Sequence, residues 1–356
     1  MVWRVPGEGH GRPATDGSNV YFLSKHHEVV AVDARTGDVR WRQSTGEPDA
    51  STLGSAVVIA GPSVVAGDYN LVAFDRTTGA IRWRFVPVIG HAPGIYLGEA
   101  TDGMVLAGSP AGRAYAVSSA TGSLVWDAVI DSRGLTTVFQ PVTDGSTVVA
   151  GYTTFTAPNR GGIVALDLRT GRELWRTVLA LTGDPLLGVG STGGPILAGD
   201  SIAAARGDGT IYLLNPRNGE VRWSIPPVPD VPSILQGPFP RPASTTHADY
   251  RPLAIAGRML ITGSLTGRVI AYDLISRRER WKYVDEKSGS VAFAISGDNQ
   301  AAYVPFVSGR QVAINLSNGM ERWRTGFEDG FDWPAISLGG RVYLAGDTGG
   351  FVALRP

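Results

Sequence analysis

The sequence predicts an all-β fold: an eight-bladed β-propeller of four-stranded antiparallel blades, closed by the N-terminal strand completing the last blade. Three observations carry this. First, a strand, a turn and a second strand ending in tryptophan recur from end to end, as in Val164-Ala165-Leu166-Asp167-Leu168-Arg169-Thr170-Gly171-Arg172-Glu173-Leu174-Trp175. Second, the copies align without gaps: Asp33 to Trp41, Asp75 to Trp83, Ser118 to Trp126, Asp167 to Trp175, Asn215 to Trp223, Asp273 to Trp281 and Asn315 to Trp323, always 8 residues apart. Third, an eighth copy is split between the chain ends. Gly350-Phe351-Val352-Ala353-Leu354 reads as its first half and Met1-Val2-Trp3-Arg4 as its second. A ring closed in this way leaves no blade without its outer strand.

Each motif has a physical reading. Val-Ala-Leu is a buried strand. The Asp or Asn side chain accepts backbone N–H groups just beyond it and starts the turn. Glycine then supplies positive φ, as Thr-Gly in four copies and Asn-Gly in two, whereas Ser276-Arg277 lacks glycine. The tryptophans (Trp3, Trp41, Trp83, Trp126, Trp175, Trp223, Trp281 and Trp323) are large apolar anchors. Their spacings of 42, 43, 49, 48, 58 and 42 residues from Trp41 onward mark one repeat with an insertion.

Naming strands A to D outward from the axis, the first blade reads 12–15, 19–23, 28–33 and 39–43. The second reads 56–60, 64–66, 71–75 and 81–85. The third reads 99–101, 104–108, 113–117 and 124–128, and the fourth 139–142, 147–150, 163–167 and 173–177. The fifth is expected at 195–198, 201–205, 210–214 and 221–225. The sixth is expected at 253–256, 258–262, 268–273 and 279–283. The seventh spans 291–295, 301–304, 311–315 and 321–325. The eighth takes 335–338, 341–344, 351–354 and, from the start, 2–5. The A–B turns carry Asp16-Gly17, Asp102-Gly103, Asp144-Gly145 and Gly339-Gly340. The expected organisation is one domain over 1–356, with 226–252 inserted as a loop.

Composition narrows the function. Formal net charge is zero, which argues against nucleic acid as a partner. There are no cysteines, so disulfides, thiolate metal sites and a cysteine nucleophile are excluded. No apolar run reaches the length of a membrane-spanning helix. No signal peptide is visible, yet Met1 stands almost on a core strand, so a removed upstream segment is expected.

The Ala-x-Asp-x-x-Thr-Gly-x-x-x-Trp repeat resembles the tryptophan-docking motif of the quinoprotein (PQQ-dependent) alcohol dehydrogenase-like β-propellers, over the whole chain. In length and blade number it is similar to the outer-membrane assembly lipoproteins of that superfamily. The resemblance implies a propeller outside the cytoplasm: periplasmic, lipid-anchored or secreted. It leaves two classes open, PQQ enzymes and cofactor-free scaffolds. The vicinal cysteine pair that many of those enzymes carry is absent, and no calcium ligand or catalytic aspartate maps onto a position here. No PQQ or metal is therefore assigned, and the preferred expectation is a non-catalytic binding scaffold, monomeric by default.

Candidate contact residues lie in the D–A and B–C connections, which share one face of a propeller. Those connections are expected to hold all five histidines: His10, His26, His27, His91 and His247. The proline-rich insertion 226–252 holds Phe239, His247, Asp249, Tyr250 and Arg251. With Tyr96, Tyr152, Asp332 and Trp333 these form a candidate rim for a protein or small ligand. The enzyme alternative places acid–base or metal groups at His91, His247, Asp249 or Tyr250. Gly188-Val189-Gly190-Ser191-Thr192-Gly193 fits G-x-G-x-x-G, but it opens no helix and the dinucleotide reading fails. The sequon Asn315-Leu316-Ser317 occupies a tight repeat turn and is discounted.

Overall fold

A computed structural model describes the chain except residues 8, 47–55, 89, 91, 93, 133–134, 155–159, 180–193, 207–208, 227–249, 265–266, 286–290, 292–294, 307, 326–332, 347–349 and 356; at 160 and 250–252 only the backbone is described. Every regular element among the described residues is a β-strand. The strands follow one another as antiparallel units of four, each built in chain order from A to D. Unit 1, for example, is His10–Thr15, Asn19–Leu23, Glu28–Asp33 and Val39–Ser44. Its A strand meets that of unit 2 through one parallel bridge, Arg12 to Ala56, which merges the two units into an eight-stranded sheet. The last unit is completed from the other end of the chain. Trp3–Val5 pairs with Gly350–Leu354, in the register Trp3 to Ala353.

The C–D hairpins form where the sequence places them. In unit 1 the Asp33 carboxylate accepts N–H bonds from Arg35 at 2.8 Å and Thr36 at 2.9 Å, while Gly37 sits at φ +80°. Opposite most of the tryptophans the C strand carries an alanine and a bulge follows at once, whereas Trp223 faces Leu213. Trp41 faces Ala31, Trp83 faces Ala73, Trp126 faces Ala116, Trp175 faces Ala165 and Trp281 faces Ala271. The bulge turns the indole toward the next unit. There the ring lies over the turn glycine and its Nε1–H donates to the carbonyl of the residue after the turn-opening Asp, Asn or Ser. The acceptors are Ala34 for Trp3, Arg76 for Trp41, Ser119 for Trp83, Leu168 for Trp126, Pro216 for Trp175 and Leu316 for Trp281, at 2.8–3.3 Å.

The buried apolar side chains of the described residues fall into eight clusters, each drawn from two consecutive units. One joins the last unit to the first: Val5, Tyr343 and Phe351 pack with Val20, Phe22 and Val32. Phe22 and Phe351 stack there at 4.2 Å between ring centroids, and Tyr343 Oη donates to Ala34 O at 2.9 Å. The A strands also touch their successors in turn, and His10–Thr15 lies against Arg341–Gly346 of the last unit.

Several expected boundaries move. The inner strand of the fourth unit is split into Thr136–Val138 and Val142–Thr143 rather than running over 139–142, because Pro141 has no N–H for the ladder. In the seventh unit residues 292–294 of the expected strand at 291–295 lie outside the described residues, and Val291 makes a bridge to Phe306. Ser296–Gly297 also pairs, and Asp298 Oδ1 takes the Gln300 and Ala301 N–H groups and fixes the turn beyond it. Five candidate residues expected in connections lie in strands. His10 begins His10–Thr15, Tyr96 begins Tyr96–Thr101, Tyr152 lies in Thr147–Thr154 and Tyr250 begins Tyr250–Ala256, with Arg251 following it there.

Candidate functional site

The A–B and C–D turns emerge at one end of the strands and the D–A and B–C connections at the other. Of the rim residues expected on the second face, His91, Phe239, His247, Asp249 and Asp332 lie outside the described residues, as does the G-x-G-x-x-G segment. Tyr250 and Arg251 belong to an inner strand by backbone. Trp333 is half-buried. It meets His10 edge-on at 4.7 Å and packs on the cluster joining the last and first units. Tyr96 packs edge-on against Phe139 at 5.3 Å, and burial pushes its hydroxyl pKa up. Tyr152 is buried beneath the Arg176 guanidinium at 5.1 Å, so it does not belong to an exposed rim. Tyr96, Tyr152 and Trp333 therefore form three separate packing contacts.

The histidines separate as well. His26 is exposed, while His27 is buried and its Nδ1 contacts the buried Asp68 carboxylate of the next unit. A histidine beside a carboxylate is a familiar part of acid–base machinery. Here it joins two B–C connections, with His27 held at φ +53°, and neither residue lines either of the two clefts described below. Among the described residues no group of three or more His, Asp or Glu side chains is placed to hold a metal ion.

A second feature of this face is an arginine at the residue after the tryptophan. Arg84 donates to Thr45 O, Arg176 Nη1 to Ile130 O at 3.0 Å, and Arg324 Nη1 lies 3.5 Å from the Asp285 carboxylate. Each acceptor stands four residues past the tryptophan of the preceding unit, so the arginine ties consecutive units on the loop side as the tryptophan ties them on the turn side. The repeated arginine is visible in the sequence, but its partner lies across a unit boundary that only the fold reveals. Arg176 and Tyr152 line a cleft of about 510 Å³ with Val129, Asp131 and Val178. Beside it Thr136 and Thr154 share a hydrogen bond of 2.8 Å, and Thr154 Oγ1 is 3.4 Å from Asp131 Oδ2.

Charged groups on the inner strands are engaged in the same manner. Arg12 Nη2 donates to Gly98 O at 3.1 Å, and Glu99 accepts the Thr143 N–H at 2.8 Å. Burial lowers the Arg12 pKa, and the Glu99 charge partly offsets it. These groups stitch units 1, 3 and 4 together. With the contacts of Arg84 and Arg176, they tie the units to one another.

The repeated strands, the indole seats and the lengthwise clusters define a β-propeller of the PQQ-like repeat class. A family model described as outer membrane protein assembly factor BamB matches residues 1–225, and the chain belongs to that family. The BamB protein of Bordetella pertussis is 28% identical over 171 residues, 45% of this chain and 42% of that protein. A polyvinylalcohol dehydrogenase of a Sphingopyxis species is 22% identical over 357 residues, covering 85% of this chain and 49% of that one. The chain thus spans about half the length of the relatives it matches. The crystal structure of BamB from Moraxella catarrhalis superposes with a TM-score of 0.72 at 18% identity, with 100% of each chain covered, a likeness of fold.

Proposed function

We propose that the protein is a non-catalytic, extracytoplasmic protein-interaction scaffold acting in outer-membrane protein assembly. Membership of the outer membrane assembly factor family carries this reading. The reading includes a single domain over residues 1–356, made of eight blades and closed by Trp3–Val5. It is supported by eight inter-unit clusters and by the Trp3 pairing across the chain ends. The long D–A and B–C connections, with His91, Phe239, His247, Asp249 and Asp332, form the partner face together with Tyr250 and Arg251 at the adjoining end of an inner strand. The strands beneath fix the points at which those connections leave and rejoin the sheets, which reduces the ordering cost of binding. The protein works as a monomer, without PQQ or metal.

The 22% identity to a polyvinylalcohol dehydrogenase over 85% of the chain favours a second reading, a PQQ-binding sensor or dehydrogenase. One experiment separates the two. A photo-crosslinking amino acid is placed at His91, Phe239 or Tyr250, and at Arg35 on the turn face as control. The scaffold reading expects crosslinks to outer-membrane assembly proteins from the first three positions and none from Arg35. Equal crosslinking from Arg35, or a large rise in melting temperature with PQQ and Ca²⁺, would overturn it.

A further inference from the structure

The turn face breaks its own pattern at one place. In units 1 and 2 the arginine before the tryptophan reaches back to the aspartate that opens its own turn. Arg40 pairs with Asp33, and Arg82 Nη1 lies 3.3 Å from Asp75 Oδ2. In unit 5 that aspartate is Asn215, and Asp200 of the neighbouring A–B turn substitutes at 3.1 Å from Arg222. Units 6 and 7 depart from this. Asp273 is taken by Arg258 at 2.7 Å, which leaves Arg280 without it. In unit 7 the turn opens with Asn315, and Arg322 reaches only the Gln300 amide oxygen, at 3.4 Å. Among the described residues neither Arg280 nor Arg322 has a carboxylate partner.

Both arginines line one cleft of about 510 Å³ between units 6 and 7, with Arg258, Asn299, Asn315 and Ser317. Its floor includes Met259 and Leu316. The surroundings add charge, since residues 277–282 read Arg-Arg-Glu-Arg-Trp-Lys in a chain of zero formal net charge. The two turns that form the cleft also carry Ile275, 75% exposed, and Met320, 67% exposed. Positions two residues past the turn opener are Arg35, Thr77, Ala120, Arg169 and Arg217 in units 1 to 5, so a bulky aliphatic there is peculiar to unit 6.

We propose that this cleft binds an acidic peptide segment of a partner protein, with an apolar side chain of that segment resting on Ile275 or Met320. Guanidinium groups without counterions match carboxylates in a bidentate fork. The Asn299 carboxamide and the Asn315 Nδ2 group offer donors and acceptors that a peptide backbone takes up, while Asn315 Oδ1 is held by the Ser317 N–H and hydroxyl, each at 2.8 Å. A concave site with its arginines in the wall fits an inserted chain better than a flat lipid surface. Exposed arginine beside exposed aliphatic side chains is also the composition of protein-binding hot spots. This surface lies opposite the long connections, so the assignment stands or falls separately from the partner face proposed above.

The test uses the full chain and a fluorescein-labelled peptide of glutamates with one central leucine, read by fluorescence anisotropy at low salt. The expected result is saturable binding that weakens about tenfold or more in the double variant R280Q/R322Q and on raising the salt to about 0.5 M. The double variant R40Q/R82Q removes two paired arginines of the same face and is expected to bind like the parent. Both variants alter exposed side chains, and unchanged melting curves verify their fold. No binding, equal weakening by the two double variants, or equal binding of a lysine version of the peptide overturns the proposal. So does sedimentation with phosphatidylglycerol vesicles in the absence of peptide binding, which would assign the surface to a membrane.

Discussion

The junction between units 3 and 4 and the junction between units 5 and 6 use the same indole and differ in its seat. Trp126 is buried, faces Ala116 on its own sheet and lies over Gly171, where a Cβ would stand 2.7 Å from its ring. Its Nε1–H donates to Leu168 O at 2.8 Å. Trp223 is only half-buried and faces the larger Leu213, and the corresponding turn of unit 6 carries Arg277 at φ +57° in place of the glycine. The backbone of that turn is unchanged, since Arg277 N–H donates to Asp273 O at 2.8 Å as Gly171 N–H donates to Asp167 O at 2.9 Å. The buried tryptophans Trp83, Trp126 and Trp281 all have an alanine behind and a glycine in front. So do the half-buried Trp41 and Trp175, and this pair of small residues therefore permits a deep seat without alone securing it. The hairpin itself is dictated by the Asp, and the glycine is required by the neighbour's ring as much as by its own dihedral angle.

This contrast sets an order of expected effects. Trp126→Ala should cost the most, about 3–5 kcal/mol, because it empties a buried seat and orphans a carbonyl. Trp223→Ala should cost clearly less, and equal losses in urea melts would show that seat depth is irrelevant. Gly171→Ala comes next, at about 1–3 kcal/mol, since the added methyl meets the Trp126 ring at a left-handed φ of +69°. Arg277→Gly runs the other way, stabilising by about 0.5–1 kcal/mol through relief of a side chain at positive φ. A loss there would mean that the arginine side chain, rather than the turn, holds that junction.

A smaller, distributed effect concerns pH. Backbone N–H bonds from Thr36, with Arg40 adding its charge, pull the Asp33 carboxyl down to about 2. Asp75 is lowered by the Thr78 and Thr77 N–H groups, Asp167 by Thr170, and Asp273 by Ser276. Depressed carboxylates stabilise the folded state fully above their unfolded pKa of about 3.9 and lose that contribution as pH falls. Melting temperature should therefore hold steady above about pH 5 and fall between about pH 4 and 2. Asp33→Asn should flatten part of that fall. An unchanged acid limb would remove the Asp-capped turns from the account.

Much of the architecture was legible because the turn face is written in residues with one dominant reason to be where they are. Asp33, Gly37 and Trp41 are read together, and the C and D strands follow within a residue or two. The loop face was less legible. Pro141 divides an inner strand, and Asp298 fixes a turn by its side-chain bonds. Tyr152 reads as loop by composition but extends a hairpin, pairing with Gly162. His10 and Tyr96 begin strands and pack inward, since a polar or aromatic residue at a strand end carries no sign of which way it faces. The cleft between units 6 and 7 was invisible for a related reason. Arg280 and Asp273 stand at the spacing of a pair, and only the fold shows that Arg258 displaces it.

The central claim is that the chain closes on itself, with Trp3–Val5 serving the last blade as Val39–Ser44 serves the first. Amide hydrogen exchange on the intact protein tests it most directly, by comparing residues 2–5 with residues 39–43. Val2 N–H donates to Ala353 O at 2.8 Å, and Trp3 pairs with Ala353 as Trp41 pairs with Ala31. The account predicts protection of the two strands within about tenfold of each other, because both open only with their sheets. Exchange of residues 2–5 at the rate of an unstructured chain, beside a protected 39–43, would contradict the closed ring.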